Sequence, residues 1–277
     1  MLNIKKLTLS CALLIGLGAG SAQADDCGEV SLTEMDWGSA IIVTQVAKFL
    51  LEQGYGCSVT VVPSASVPAL ASVSETGEPD IITELWTNGA PAYVPLLEAG
   101  KINELTRVLS DGGLEGFFIP VYLAEAHPEL TTIEGVLANP DLVGNRMHNC
   151  PVGWNCQTVA TNVAKGGGFE AAGIEDFVHG SGETLTASIG AAYASKEPWF
   201  GYYWTPSLVM GKYPMVQVDL GPHDASKQAC NSDKDCANPT MQSWPSSIVT
   251  TVVTSEFEAS HPAETDLMRN LSFTNNM

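Results

Sequence analysis

The chain alternates short β-like runs with stretches of helical apolar spacing. Residues 30–35 read as a strand, and residues 40–53 follow with apolar side chains three and four apart, stopping at Gly54. The alternation then repeats. A valine-rich strand at 58–63 precedes a helix at 67–74, and a strand at 80–86 precedes a helix at 93–99. Gly112-Gly113 interrupts the pattern. Beyond it, residues 117–123 predict a strand and 132–137 a short helix after His127-Pro128. Helices near 157–165 and 184–194 and strands at 199–204, 215–220 and 248–253 complete the reading. Strand–helix alternation of this kind predicts an α/β protein with mostly parallel sheets. It divides into a leader at 1–24, a first lobe at 25–112, a second lobe at 113–221, and a return to the first lobe at 222–277.

The leader has a chemistry of its own. Lys5 and Lys6 precede an apolar stretch at 7–20, and Ala22-Gln23-Ala24 forms a small-x-small site before Asp25-Asp26. This predicts a secretory signal peptide cleaved after Ala24. The apolar run is too short for a membrane anchor, and no later segment reads as a span. Composition is globular, with 45% apolar and 16% charged residues. Twelve Lys and Arg against 31 Asp and Glu give a net charge of −19, which repels phosphate backbones and excludes nucleic acid as an expected partner. Six cysteines follow the leader: Cys27, Cys57, Cys150, Cys156, Cys230 and Cys236. In an exported chain an even number reads as disulfides. Cys150/Cys156 and Cys230/Cys236 are each spaced to close a small loop, leaving Cys27 with Cys57. No C-x-x-C supports zinc, and no cofactor is expected.

Four of the six tryptophans sit beside turn residues, not inside periodic apolar stretches: Trp37, Trp86, Trp154 and Trp204. Trp37, Trp86 and Trp204 each end a predicted strand, and Trp154 lies in the loop closed by Cys150 and Cys156. In α/β folds the ligand crevice lies outside the carboxyl ends of the strands. Indole faces converging there make a cage for a quaternary ammonium cation, which has no N–H to donate and is held by cation–π attraction and apolar contact. Trp199 and Trp244 lack the pattern and read as structural.

These residues resemble a known family, the substrate-binding proteins of ABC importers for glycine betaine, proline betaine, choline and related methylated amines. Cys150-Pro151-Val152-Gly153-Trp154-Asn155-Cys156 resembles the disulfide-closed tryptophan loop of the betaine binders, with one residue shifted. Tyr202-Tyr203-Trp204-Thr205-Pro206 is similar to their Y-x-W-T-P strand end. Glu84-Leu85-Trp86-Thr87 is similar to the strand end carrying another cage tryptophan, and Asp36-Trp37-Gly38 to a turn of the choline-type binders. Tyr122 resembles a cage tyrosine of those same binders. The resemblance implies a type II periplasmic-binding-protein fold, two αβ lobes closing over a ligand. It also implies a periplasmic location, a permease partner in the inner membrane, a monomer, and a ligand carboxylate held by the backbone N–H groups of Asn155 and Cys156.

Two departures bear on the ligand. The betaine binders often carry a histidine four residues after the first-lobe tryptophan, where this chain has Ala90. Glu84 and Glu115 lie near the expected site, either as cage acids or as solvated surface. An acid in the cage favours a cation without its own carboxylate, such as choline, or an N-oxide able to share a proton, such as trimethylamine N-oxide. The alternative function is a secreted enzyme acting on a methylated amine. His179-Gly180-Ser181-Gly182 is not a G-x-S-x-G elbow, and no metalloprotease, P-loop or dinucleotide motif follows the leader. Asn231-x-Asp233-x-Asp235 has the alternation of a calcium loop without its glycine or distal glutamate, and reads as an acidic disulfide loop.

Overall fold

The structure, a computed structural model, describes residues 27–275; the predicted signal segment lies outside them. Among the described residues ten strands form two five-stranded sheets: β1 (Glu29–Met35), β2 (Ser58–Ser64), β3 (Ile81–Trp86), β4 (Ile102–Thr106), β5 (Leu114–Pro120), β6 (Arg146–Asn149), β7 (Glu175–Val178), β8 (Gly201–Thr205), β9 (Met215–Gln217) and β10 (Val249–Thr254). The first lobe opens with the helices α1 (Gly38–Tyr55), α2 (Ser66–Thr76) and α3 (Tyr93–Glu98). Then come α4 (Val121–Ala126), α5 (Ile133–Ala138), α6 (Asn155–Gly166), α7 (Gly182–Ser195), α8 (Leu208–Lys212) and α9 (Ala225–Asn231), and finally α10 (Ser255–Ser260) and α11 (Pro262–Arg269). Among the described residues no helix is long and apolar enough to cross a membrane.

The sheets run β2-β1-β3-β10-β4 and β7-β6-β8-β5-β9. In each, one strand arrives from the other lobe and pairs antiparallel on both sides: β10 between β3 and β4, and β5 between β8 and β9. The remaining pairs are parallel. The two crossings meet where Gly113 and Ser247 exchange backbone hydrogen bonds at 3.0 and 2.8 Å. Gly113 admits no side chain there, because a Cβ would stand 2.3 Å from the Trp86 ring.

Local chemistry explains the element ends. Ala40, Val43, Ala47 and Leu51 put α1 against its sheet, and the helix runs past Gly54 to stop at Gly56, whose φ of 72° is left-handed. The strand expected over 117–123 ends at Pro120, and Val121 starts α4. Proline cannot donate to a ladder, so extended pairing stops there. The expected strand at 215–220 covers only Met215–Gln217. The return to the first lobe also comes later than residue 222. α9 packs on α6, Asn162 Nδ2 donates to the carbonyls of Asn231 and Asp233, and Trp244 meets Phe117 at 5.1 Å. The chain rejoins the first sheet only at β10, because this polar segment is tied to α6 by those hydrogen bonds.

The three expected disulfides, Cys27–Cys57, Cys150–Cys156 and Cys230–Cys236, are formed. In the last loop Asn231 spends its side chain on the backbone of Thr240, and Asp233 Oδ1 accepts from the N–H of Asp235. Their oxygens serve the loop itself.

Trp199, outside the cleft, stacks on His148 at 5.2 Å, and His148 Nδ1 lies 2.9 Å from His179 Nε2. Burial, with His179 and Arg146 nearby, pushes His148 down to about 3. The unfolded chain therefore takes up a proton near pH 6.5 that the folded chain refuses until about pH 3. Stability attributable to His148 is complete above pH 6.5 and is lost as pH falls through that window, at about 1.4 kcal/mol per pH unit for a single proton. Urea unfolding at pH 7 and pH 4.5 should show a smaller acid loss for His148→Gln than for the wild type; equal losses would remove His148 as the cause.

Candidate functional site

The cleft lies at the carboxyl ends of the strands of both sheets. β3 ends at Trp86 and β1 runs into Trp37, which caps α1; β8 carries Trp204, and Trp154 caps α6. All four indoles converge. Trp37 meets Trp154 edge-to-face at 5.0 Å, Trp154 meets Trp204 at 5.5 Å, and Trp204 meets Trp86 at 6.3 Å. They are 5–8% exposed, although each lies at a strand end or in a loop. A small cavity of about 30 Å³ sits among them, lined also by Ser66, Glu115, Asn155, Cys156 and Tyr202.

Glu84 stands behind two of the indoles. Its Oε1 accepts from Trp37 Nε1 at 2.7 Å, Trp86 Nε1 at 3.0 Å and Ser39 Oγ at 2.9 Å. The other oxygen, Oε2, is buried with no protein partner. Glu84 is fully buried and so is not solvated surface. Burial pushes its carboxyl up, against the pull of the three donors. It holds the first-lobe half of the cage without lining the cavity.

Glu115 does line the cavity, and it too is buried. Tyr202 Oη donates to it at 2.7 Å, Asn88 Nδ2 at 3.1 Å, and Ser247 Oγ also donates. Desolvation raises its pKa while these donors lower it. Asn88 belongs to the first lobe, Tyr202 to the second and Ser247 to the crossing, so Glu115 ties all three together.

Other contacts bridge the lobes directly. Asn155 Nδ2 donates to the Trp86 carbonyl at 2.9 Å, and the Val67 N–H to the Gly153 carbonyl at 3.0 Å. Gly153 has a φ of 95°, a backbone form disfavoured for side chains, and a Cβ there would stand 3.2 Å from Ala65. The disulfide loop thus seats Trp154 and the start of α6 against the first lobe. Asn155 Oδ1 and Trp204 Nε1 are buried at the cavity without a protein partner.

The structure corrects two expected ligand-binding residues, Glu84, which stands behind the indoles, and Tyr122. Tyr122 is not in the cleft: it lies on α4, packs on Tyr193 at 5.2 Å and donates to the carbonyls of Ala192 and Glu197. Pro120 ends β5 before Tyr122, so the side chain leaves the sheet on a helix. Two lining residues escaped sequence reading. Tyr202 stood inside a quoted motif, at the alternate position from Trp204 on β8, and that period of two was the available signal. Ser66 carried none.

Cutting the Cys150–Cys156 bond tests how the loop serves the cavity. Closing so short a loop contributes about 2–3 kcal/mol at most. Cys150→Ala/Cys156→Ala should keep a folded second lobe by circular dichroism while losing ligand affinity, and an unchanged affinity would make the loop structural only.

Two lobes, two crossings and a cavity between strand ends define the type II periplasmic-binding-protein fold. Residues 28–277 match the family described as the substrate binding domain of ABC-type glycine betaine transport systems, and the chain belongs to that family. Among solved structures of similar fold is an ABC-transporter choline binding protein in complex with choline. It has a TM-score of 0.68 and 17% identity over 90% of this chain and 80% of that one. A glycine betaine/L-proline-binding protein from Borrelia burgdorferi has a TM-score of 0.72 and 17% identity, covering 90% and 83%. Lactococcal OpuAC, in its closed-liganded conformation with glycine betaine, gives 0.66 and 16%, covering 90% and 86%. No curated protein matches the chain.

Proposed function

We propose that this chain captures a small quaternary or trimethylated amine in its tryptophan cage and delivers it to the permease of an ABC importer. Four indoles from both lobes around one cavity carry the reading. Cation–π attraction suits a methylated ammonium, and burial strengthens it. Because each lobe supplies two indoles, the cage is complete only when the lobes meet, which couples capture to a shape the permease can recognise. The chain works as a periplasmic monomer after cleavage following Ala24; the mass of the exported protein and its elution volume check both points.

Glu115 in the wall narrows the ligand class. An ionised carboxylate beside the cation adds attraction, whereas it opposes a ligand carboxylate. Choline, or trimethylamine N-oxide sharing a proton with Glu115, is therefore favoured over glycine betaine. In calorimetric titration, choline or the N-oxide should bind more tightly than glycine betaine and carnitine, and an uncharged sugar should give no heat. Tight sugar binding without a methylamine response would refute the reading. Because Glu115 has a raised pKa, the choline affinity that its charge supports should fade on acidification from a pH above the ordinary carboxylate range. Glu115→Gln should flatten that profile.

A further inference from the structure

Asp36 lies just past β1 on the first lobe, immediately before Trp37, and does not line the cavity. Both oxygens of its carboxylate reach the second lobe. Oδ1 accepts from Trp154 Nε1 at 2.6 Å, and Oδ2 from the Gly182 backbone N–H at 3.2 Å. Gly182 opens the 14-residue α7, where the first N–H groups have no intrahelical acceptor. The helix's own cap, Ser181, is already engaged with the N–H of Thr184. One carboxylate therefore joins a cage indole and a helix start across the cleft. The fit is close: a Cβ on Gly182 would stand 2.6 Å from the Asp36 carbonyl oxygen and 2.9 Å from Trp154 Cζ2.

We infer that Asp36 is the latch of the closed state, a positioning residue that sets ligand affinity through lobe closure and not through ligand contact. The inference rests on the proposed reading of the cavity as a methylated-amine site. Both hydrogen bonds exist only while the lobes meet, so their loss lowers the closed fraction. The apparent Kd scales inversely with that fraction, by one factor common to all ligands. A residue touching the ligand would instead change the ratio between ligands. Charge-assisted hydrogen bonds to a carboxylate are strong enough for a common loss of about tenfold or more.

The test uses the full chain without its leader: wild type, Asp36→Ala, Asp36→Asn and Gly182→Ala. Each is titrated with choline and with glycine betaine, and the radius of gyration is measured by small-angle scattering with and without ligand. Asp36→Ala should weaken both ligands by the same factor and speed their dissociation. Asp36→Asn, which keeps an acceptor for the Trp154 indole, should fall between it and the wild type. Gly182→Ala should keep or raise the ligand-free melting temperature, since alanine favours helix, yet lose affinity because its methyl obstructs closure. Wild-type affinity in Asp36→Ala, or a changed choline-to-betaine ratio with closure intact, overturns the latch. If the wild type binds no methylated amine, the ligand reading fails separately. The latch then stands or falls on whether ligand-free Asp36→Ala is more extended than the wild type; equal radii overturn it.

Discussion

Glu84→Ala is expected to cost about 3–5 kcal/mol of folding stability, the largest loss of any single cleft substitution short of a core deletion. The cause is the convergence of three donors on one oxygen. Trp37 Nε1, Trp86 Nε1 and Ser39 Oγ all give to Glu84 Oε1. Truncation leaves two buried indole N–H groups without an acceptor, at about 1–3 kcal/mol each, and opens a void. Removing a desolvated carboxylate works in the opposite direction, since burial already raises its pKa. The stranded donors and the void outweigh that relief. Glu84→Gln separates the two effects. Its amide oxygen can still accept from the indoles, so most stability should return although the carboxyl group is gone. Urea denaturation of both variants measures the difference, and a Glu84→Ala midpoint equal to the wild type would show that the indoles do not depend on this carboxylate.

Trp86→Ala and Trp204→Ala are expected to weaken the best methylated amine about thirtyfold each. A desolvated cation–π face contributes about 2 kcal/mol, and that converts to roughly a factor of thirty. The phenylalanine variants should lose less, because a π face remains. Trp199→Phe and Trp244→Phe, which alter indoles outside the cavity lining, should change the melting temperature without changing affinity. That contrast separates a cage from a core. Wild-type affinity in Trp86→Ala and Trp204→Ala would refute the cage, whatever the stability of the variants.

Much of this site could be read before any coordinates, for a physical reason. Trp37, Trp86, Trp154 and Trp204 each stand beside a turn residue, and strand ends face the crevice in an α/β fold. The convergence of the four follows from topology. The roles of the acids did not. Glu84 and Glu115 looked alike in sequence, yet one braces two indoles from behind and the other forms the wall. Only the third dimension distinguishes an acid whose acceptor oxygen faces indole nitrogens from one that faces a cavity. Tyr122 misled because its motif continues a strand pattern through Pro120. Among the strands, β4 and β7 gave no apolar run because both are sheet edges, half in solvent, and β6 is four residues with one fully apolar side chain. Asp36 stood in plain view within its motif, but nothing in the sequence indicates a partner 118 or 146 positions away.

The bridge between Gly113 and Ser247 has a consequence for the order of assembly. Everything between those residues leaves the first lobe and returns to it at one point, so the second lobe is a continuous insertion. The first sheet is discontinuous: β10 must pair with β3 across the whole insertion, Val249 opposite Trp86. During synthesis, then, the lobe that begins first is finished last. Contacts so distant in sequence carry a large closure entropy and form slowly. Pulse-labelled hydrogen exchange should find β6 and β8 protected before β3 and β10. Until the last strand arrives, the cysteines at 27 and 57 can pair, but the first sheet still lacks the strand that joins β3 to β4.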